Sequence, residues 1–223
     1  MEAAVEADPA GVRLRVAEIF HSLQGEGDAS GWRTVFIRLT GCPLRCVWCD
    51  TEYAFHGGQW HSLADILAAV APFAARHVCV TGGEPLAQKR CPILLRALCD
   101  RGYAVSLETS GALDVSQVDP RVVKVMDLKA PGSGECARNL WGNLEYLSPH
   151  DQVKIVLADR TDYDWARGVL EEHRLAERCT VLLSPVYGLL QPGTLADWIL
   201  EDKLPVRFQV QLHKLLWGDV PGH

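Results

Sequence analysis

A short cysteine-rich stretch reads Gly41-Cys42-Pro43-Leu44-Arg45-Cys46-Val47-Trp48-Cys49-Asp50-Thr51 and follows a predicted strand. α/β folds place their functional sites on loops at the carboxyl ends of parallel strands. Three thiolates on one tight loop can converge on a single cluster, but they cannot complete the four-cysteine shell of a structural [4Fe–4S] centre or a closed zinc site. The spacing C-x3-C-x2-C therefore predicts a cluster with one metal corner open to an exogenous ligand.

The same three cysteines also fit two simpler arrangements. They could be buried side chains that happen to be neighbours, or part of a zinc site completed by a distant His or Cys. The remaining cysteines stand in different contexts and are predicted to be small core side chains. They are Cys79, Cys91, Cys99, Cys136 and Cys179.

Length and composition exclude several classes of protein. The 223 residues suit one domain at roughly 100–200 residues per domain. Eight cysteines are too few for a disulfide scaffold, which carries more than about 8–10%. A formal charge of −6 argues against broad contact with nucleic acid. The acidic N-terminus resembles no export signal, and no apolar run approaches the ~18 residues of a membrane span. We expect a cytoplasmic protein without membrane partners, with a disordered tail at 1–11 and a single domain at 12–223.

Short β-branched runs alternate with helical patterns along the chain, which predicts parallel βα units in an open sheet or a barrel. An eight-stranded barrel runs to about 250 residues. The shorter length favours an α/β fold with a partial, six-stranded parallel βα barrel. Helix starts are predicted at Ser62 with Asp65, Pro92, Thr161 with Asp164, and Thr194 with Asp197. Strands are predicted at Val12–Phe20, Thr34–Leu39, His77–Thr81, Ala104–Glu108, Val122–Leu128, Gln152–Leu157, Thr180–Leu183 and Val206–Leu212.

Polar motifs end the strands that follow the cysteine loop. Thr81-Gly82-Gly83-Glu84-Pro85 ends one strand, Glu108-Thr109-Ser110-Gly111 ends the next, and Asp127-Leu128-Lys129 ends a third. Two adjacent glycines let a backbone approach a ligand closely. With the cysteine spacing, these motifs resemble those of the radical S-adenosylmethionine (SAM) superfamily. In that superfamily the amino and carboxylate groups of SAM chelate the open iron of a [4Fe–4S] cluster.

The resemblance implies roles for residues around the loop. Cys42, Cys46 and Cys49 would hold the cluster, and Glu84 would accept hydrogen bonds from the SAM ammonium. The residues implied to contact SAM are Trp48, Asp50, Gly82, Gly83, Glu84, Glu108, Ser110, Lys129, Ser184, Pro185, Val186 and Tyr187.

Three further motifs narrow the resemblance. Leu23-Gln24-Gly25-Glu26-Gly27 precedes the cluster strand, Asp50-Thr51 follows the last cluster cysteine, and Gln211-Leu212-His213-Lys214 lies near the C-terminus. Together they resemble the 7-carboxy-7-deazaguanine synthase family, whose members act in queuosine and deazapurine biosynthesis. The resemblance runs from about Glu18 to Trp217, nearly the whole chain.

That family implies a carbon–nitrogen lyase. Its substrate is 6-carboxy-5,6,7,8-tetrahydropterin, a 5′-deoxyadenosyl radical removes the hydrogen at C6, and the ring contracts to 7-carboxy-7-deazaguanine with loss of ammonia and regeneration of SAM. The family also implies Mg²⁺ bound by Thr51, a flavodoxin- or ferredoxin-type electron donor, and a homodimer.

The substrate's polar groups suggest which residues bind it. A pterin presents a ring N–H beside an amino group, and one carboxylate can accept hydrogen bonds from both. Glu26 is the candidate for that carboxylate. The substrate carboxylate calls for a guanidinium, and Arg38 is placed to supply it. The full set implied to bind substrate is Leu23, Gln24, Gly25, Glu26, Arg38, Thr81 and His213.

The match departs from the family at two places. Many relatives carry Ser-Pro-Lys where this chain has Asp127-Leu128-Lys129, and Ser184-Pro185-Val186-Tyr187 replaces a Gln-Pro segment. Asp-Leu-Lys also resembles the glycyl-radical-enzyme activases. Two alternative functions are therefore kept: such an activase, which would act on a protein and consume SAM, and a non-catalytic iron–sulfur or zinc module.

Overall fold

The computed structural model describes residues 11–218 and 220. The tail expected at 1–11 lies outside this range except for Gly11. The described residues include no helix long and apolar enough to cross a bilayer. Within these residues nine strands form one sheet: β1 Arg13–Leu23, β2 Arg33–Leu39, β3 Gln59–Ser62, β4 His77–Gly82, β5 Ala104–Thr109, β6 Val123–Leu128, β7 Gln152–Leu157, β8 Thr180–Pro185 and β9 Arg207–Phe208.

The sheet has the order β3-β1-β2-β4-β5-β6-β7-β8-β9. From β2 onward every neighbouring pair is parallel, whereas β1 pairs antiparallel with both β2 and β3. Six full-length parallel strands, β2 and β4 to β8, thus form the core of the sheet, which confirms the predicted fold class. The predicted last strand is shorter than expected, since only Arg207–Phe208 pairs with β8.

In the described part of the chain, six α-helices accompany the strands. The Ser62–Asp65 capping box and the proline in the first turn at Pro92 are confirmed. The predicted starts at Thr161 and Thr194 are wrong: the side chain of Asp159 caps the third helix, and the fifth begins at Pro192 with Gln191 as its N-cap residue. The helices are α1 Leu63–Val70, α2 Cys91–Asp100, α3 Arg160–Glu172, α4 Leu175–Arg178, α5 Pro192–Asp202 and α6 Leu212–Trp217.

Side chains alternate between the two faces of the sheet, as the period of two in a strand requires. Outward residues of β2, such as Val35 and Ile37, pack with α1 and α2 in one core, and outward residues of β7, such as Ile155, pack with α3 and α5 in a second. Inward residues are more polar; Arg38 of β2 and Lys154 of β7 face a common cavity. The outer face therefore stabilises the fold, and the inner face is left for chemistry.

The loop between β1 and β2 reaches across to the far end of the sheet. The Gly27 amide donates to Gln209 Oε1 over 2.6 Å, and the Leu212 amide donates to the Gly25 carbonyl over 3.0 Å. Because Gln209 and Leu212 follow the last strand, the sheet must curve for these contacts to form. The curvature is that of a partial barrel whose gap is spanned by this loop.

Candidate active site

A cavity of about 450 Å³ lies at the carboxyl ends of the parallel strands. It is lined by the cysteine loop, the strand ends, the loop after β1 and the helix α6, so it gathers residues distant in sequence. The sequence-predicted residues that line it are Leu23, Gln24, Gly25, Glu26, Arg38, Cys42, Cys46, Trp48, Cys49, Asp50, Thr51, Thr81, Gly82, Gly83, Glu108, Ser110, Lys129, Val186, Tyr187 and His213.

The three thiols of the cysteine loop are partly buried in this wall. Burial raises the pKa of each thiol, and that of Cys46 to about 11. Lys129 is close enough to all three to oppose this rise. Thiolates bind iron, and an iron cluster would supply the positive charge that removes these protons. Among the described residues, no group of three or more His, Cys, Asp or Glu side chains is arranged to hold a metal ion. The three thiols nevertheless face one cavity, which fits three corners of a [4Fe–4S] cluster.

The segment after β6 supports the cysteine loop from outside. The Arg45 amide donates to Glu135 Oε1 over 2.5 Å, and the Val47 amide donates to the Ser133 carbonyl over 3.0 Å. Asn139 makes two hydrogen bonds to the Lys129 backbone, one to its N–H and one to its carbonyl. The connection between β6 and β7 thus fixes both the cysteine loop and the lysine beside it.

The two glycines after β4 pack against the start of the cysteine loop. A Cβ on Gly83 would lie 2.6 Å from the Gly41 carbonyl oxygen and 2.7 Å from the Cys42 Cβ. A Cβ on Gly82 would lie 2.2 Å from the Leu39 carbonyl oxygen. Because backbone cannot yield as a flexible side chain can, these positions require glycine. Both line the cavity, but their tightest contacts are with the chain itself.

Glu84 lies behind the cavity wall. It is fully buried, and its carboxylate accepts hydrogen bonds from the Leu86 amide, the Thr109 hydroxyl, and both the amide and the hydroxyl of Ser110. This carboxylate ties the Gly-Gly-Glu-Pro turn to the end of β5, and it does not line the cavity. Ser184 and Pro185, also implied to contact SAM, are buried in β8 outside the cavity lining.

Glu26 is paired with a lysine that the sequence did not single out. Lys154 Nζ lies 2.5 Å from Glu26 Oε2, and Gln211 Nε2 donates to Glu26 Oε1 over 2.8 Å. Glu26 itself is 6% exposed. Burial alone would lower the pKa of Lys154, but the nearby Glu26 and Asp127 carboxylates outweigh it and raise that pKa well above the ordinary value. Lys154 therefore carries its charge at neutral pH.

His213 lies in α6 and not on a last strand, which corrects the sequence prediction. Its ring presses on Gly25, where an added Cβ would lie 2.1 Å from His213 Nδ1. Burial lowers the pKa of this imidazole despite the neighbouring Glu26 and Asp50 carboxylates. A neutral histidine thus faces the cavity beside the Leu23–Glu26 segment.

Arg38 is held by an ion pair and two aromatic rings. Its Nε donates to Glu18 Oε1 over 2.7 Å, and its guanidinium lies 5.6 Å from the Phe20 ring centroid and 5.7 Å from that of Tyr53. Nearby, the Thr81 hydroxyl donates to Glu108 over 2.9 Å. This arrangement fixes a cation in the cavity while leaving its terminal nitrogens for a carboxylate.

The predicted magnesium ligand stands at the end of the cysteine loop. The Thr51 hydroxyl donates to Asp50 Oδ1 over 2.9 Å, and Asp50 Oδ2 lies 2.9 Å from Lys214 Nζ. Burial would raise the pKa of Asp50, but Lys214 and Thr51 lower it to about 2. Mg²⁺ prefers oxygen ligands and retains several waters, so a hydroxyl on the wall of a polar cavity fits such an ion.

Several lining residues were not predicted from the sequence. Lys154 had a usable signal, because a charged residue in an otherwise apolar buried strand is rarely without a partner. Aromatic residues such as Phe20 and Phe36 had none, since they match an ordinary core pattern. Those not predicted are Phe20, Phe36, Phe55, Thr109, Val125, Asp127, Lys154, Val156, Gln211 and Lys214.

Of the cysteines expected in the core, Cys79, Cys91 and Cys179 are buried. Cys99 packs at the edge of the first core and is partly exposed, as is Cys136. Cys136 lies in a short 3-10 turn of the segment between β6 and β7, so it is not the core side chain that was expected.

Comparison with known proteins gives one consistent family. Residues 36–127 match the model of the Radical SAM superfamily. The 7-carboxy-7-deazaguanine synthase of Chlorobaculum tepidum is 45% identical over 92% of this chain and 94% of its own length. Those of Koribacter versatilis and Thermoplasma acidophilum are 41% and 37% identical, covering 92% and 94% of this chain and 97% and 100% of their own.

A solved structure agrees with these relatives. The crystal structure of QueE from Escherichia coli has a TM-score of 0.75 and 25% identity, and the match covers 90% of this chain and 95% of that one. The cysteine loop, the glycine turn and the Leu23–Glu26 segment all meet at the cavity that this fold forms. The chain therefore belongs to the 7-carboxy-7-deazaguanine synthase family of the Radical SAM superfamily.

Proposed function

We propose that this chain converts 6-carboxy-5,6,7,8-tetrahydropterin into 7-carboxy-7-deazaguanine with loss of ammonia, as a carbon–nitrogen lyase. The supporting observation is the polar cavity that joins a three-thiol loop to Glu26, Arg38 and His213. The atoms balance, because product and ammonia together contain the elements of the substrate. Both ring carbon–nitrogen bonds of N5 are broken, a carbon–carbon bond between C4a and C6 closes the smaller ring, and the hydrogens lost from C6 and C7 leave with nitrogen as ammonia. No net oxidant or reductant is consumed.

Membership of the superfamily implies a [4Fe–4S] cluster, SAM and an electron donor. The cluster and SAM supply the radical that starts the rearrangement; this chain holds and orients them. We assign the cluster to Cys42, Cys46 and Cys49, and SAM to the surrounding wall. That wall consists of Trp48, Asp50, Gly82, Gly83, Glu108, Ser110, Lys129, Val186 and Tyr187, with Glu84, Ser184 and Pro185 behind it.

The opposite wall is assigned to the pterin. Glu26 accepts hydrogen bonds from the ring N–H and the amino group, and the Arg38 guanidinium pairs with the substrate carboxylate. His213, neutral because its pKa is lowered by burial, closes that wall against Gly25. The backbone of Leu23 and Gln24 and the hydroxyl of Thr81 complete it, and Thr51 contributes one oxygen to Mg²⁺.

The experiment is an anaerobic turnover assay of the reconstituted protein with SAM, a reductant and the carboxytetrahydropterin. We expect equal amounts of carboxydeazaguanine and ammonia, with SAM recovered and no stoichiometric 5′-deoxyadenosine. Failure of a fully loaded enzyme to form the product would overturn the proposal. Consumption of SAM would favour the activase. A cluster whose electron paramagnetic resonance spectrum does not change when SAM is added would favour the metal module.

The remaining family-implied partners are proposals as well. A flavodoxin- or ferredoxin-type protein delivers the electron, the chain forms a homodimer, and no nucleic acid binds. The last point is supported by the formal charge of −6. Sedimentation of the reconstituted protein, alone and with transfer RNA, tests the dimer and the absence of RNA binding together.

A further inference from the structure

Lys154 is a buried cation that the proposed function leaves without a role. It lies on β7, and its side chain is 11% exposed within the cavity wall. Its ammonium contacts Glu26 at 2.5 Å and Asp127 at 3.4 Å. A lysine is almost never buried without a partner, so these two carboxylates account for its charge. They leave part of its hydrogen-bonding capacity unused.

The ammonium belongs to an alternating row of charges along the cavity. Lys129 Nζ lies 3.1 Å from Asp127, which contacts Lys154, which in turn contacts Glu26. Without Lys154, Asp127 would keep a cation in Lys129, whereas Glu26 would keep only the neutral amide of Gln211. Charge compensation of Glu26 therefore explains one contact of the ammonium, but not what its remaining donors do.

Lys154 also has donor capacity to spare. An ammonium carries three N–H donors and no acceptor. One of them is donated to Glu26, and Asp127 lies 3.4 Å away as an ion-pair partner; these are the partners found among the described residues. Its third donor is available to a ligand in the cavity. Each Glu26 oxygen has two acceptor sites, so both oxygens can accept a ligand proton in addition to the bonds from Lys154 and Gln211.

The edge of a pterin presents three groups in a row. They are the 2-amino N–H, the ring N3–H and the 4-carbonyl oxygen: two donors followed by one acceptor. A carboxylate with an ammonium beside it presents two acceptors followed by one donor, which is the complementary order. The 2.5 Å separation of Glu26 and Lys154 places such a pair on one wall of the cavity.

We propose that Lys154 is a specificity-determining residue that donates a hydrogen bond to the 4-carbonyl oxygen of the pterin while Glu26 accepts from N3–H and the 2-amino group. The inference rests on the proposed function, since it assumes a pterin in this cavity. A site with a buried donor discriminates strongly against an analogue that lacks the matching acceptor, because the donor is then left without a hydrogen bond. Lys154 therefore selects a 4-oxo ring.

The test measures binding of three pteridines to the cluster- and SAM-loaded protein by quenching of pteridine fluorescence. The probes are 6-carboxypterin, its 4-thio analogue, which keeps both donors but weakens the acceptor, and 6-carboxylumazine, which replaces the 2-amino group by a carbonyl. For the wild type we expect 6-carboxypterin to bind about tenfold or more tightly than either analogue. In Lys154→Met the ratio of affinities for 6-carboxypterin and its 4-thio analogue should fall to about one. The preference for 6-carboxypterin over 6-carboxylumazine depends on Glu26 and should remain.

Two further variants serve as controls. Lys154→Arg keeps a donor and should restore part of the preference for oxygen. Lys124→Met removes another buried lysine, paired with Asp151 at 3.0 Å and outside the cavity lining, and should change neither preference. If wild type binds none of the probes, the proposed function fails. If wild type discriminates and Lys154→Met keeps the same oxo-over-thio ratio, Lys154 is only structural and the inference fails while the proposed function stands.

Discussion

The residues of the cavity are prepared for their roles mainly by burial and by their immediate partners. Burial raises the pKa of the three loop thiols, so at neutral pH they stay protonated until iron binds. Lys214 lowers the pKa of Asp50 to about 2, so this neighbouring carboxylate stays charged. Iron must therefore displace protons from the loop to bind, and cluster assembly should be faster at higher pH.

Replacing any of the three loop cysteines by alanine should abolish the cluster. Each variant removes one of the three thiols that line the cavity, and the proposed cluster needs all three to be left with a single open corner. We expect Cys42→Ala, Cys46→Ala and Cys49→Ala to lose nearly all bound iron and the charge-transfer absorbance of the reconstituted protein. Cys99→Ala, on α2 away from the cavity, is the matched control and should keep both. Full iron content in any loop variant would contradict the assignment.

His213 should contribute a specific part of the pH dependence of stability. Because burial lowers its pKa, the folded state binds fewer protons than the unfolded state between the folded value and the ordinary one near 6.5. Stability then rises with pH in that window and is lost as the pH falls through it. The free energy of unfolding should drop less between about pH 7.5 and about pH 5.5 in His213→Gln than in wild type.

Denaturant titrations at both pH values measure this difference. His56→Gln is the control, because His56 is exposed on the loop before β3 and its removal should leave the wild-type drop unchanged. Burial also lowers the pKa of His77, so some pH dependence of the same sign should persist in His213→Gln. An identical drop in wild type and His213→Gln would show that the imidazole is not held neutral by its surroundings.

At the scale of elements, the regular parts of the chain followed from local pattern. The parallel strands carry apolar residues with a period of two, and α1 and α2 carry their own capping and proline signals. The starts of α3 and α5 were misplaced because several residues near each start could act as caps. The short strand Gln59–Ser62 and the long irregular connection after β6 have no such pattern, since tertiary contacts hold them.

In the site too, local pattern predicted some features, whereas others depend on tertiary contacts. Motifs placed most of the lining, because strand ends of a parallel sheet meet at one edge. They did not reveal which groups pair across the cavity. The contact between Glu26 and Lys154 spans 128 positions of sequence and depends on the curvature of the sheet. Likewise, Glu84 looks like a ligand-facing acid in the sequence, whereas its hydrogen bonds to Thr109 and Ser110 are local to two adjacent strands.

The contact between the glycine turn and the cysteine loop should be sensitive to one methyl group. Gly83→Ala would place a Cβ 2.6 Å from the Gly41 carbonyl oxygen, so one of the two loops must move. We expect a loss of about 1–3 kcal/mol in the free energy of unfolding, with lower iron content after reconstitution. Gly168→Ala, within α3 and with open space around it, should instead gain up to about 1 kcal/mol. Thermal melts and iron analysis of both variants test this, and equal effects would contradict it.

At the scale of the whole molecule, the two ends of the sheet are joined through the cavity and not through direct strand pairing. The loop after β1 contacts Gln209 and Leu212, and the segment around α6 contributes Gln211, His213 and Lys214 to the same wall. The final helix is thus part of the site. The fold leaves its barrel open, and the opening is covered by elements that also line the cavity.

Removing α6 should therefore impair substrate binding more than folding. A chain ending at Val210 keeps every paired strand but loses the bonds from Gln211 to Glu26 and from Lys214 to Asp50. We expect the affinity for 6-carboxypterin to fall at least about tenfold, because two carboxylates of the cavity wall lose charged or polar partners. Iron content and the circular dichroism of the sheet should stay near wild type, since both cores lie on the outer face. A chain ending at Gly218, which retains α6, is the control, and equal affinity of the two truncated chains would show that the helix does not form part of the substrate site.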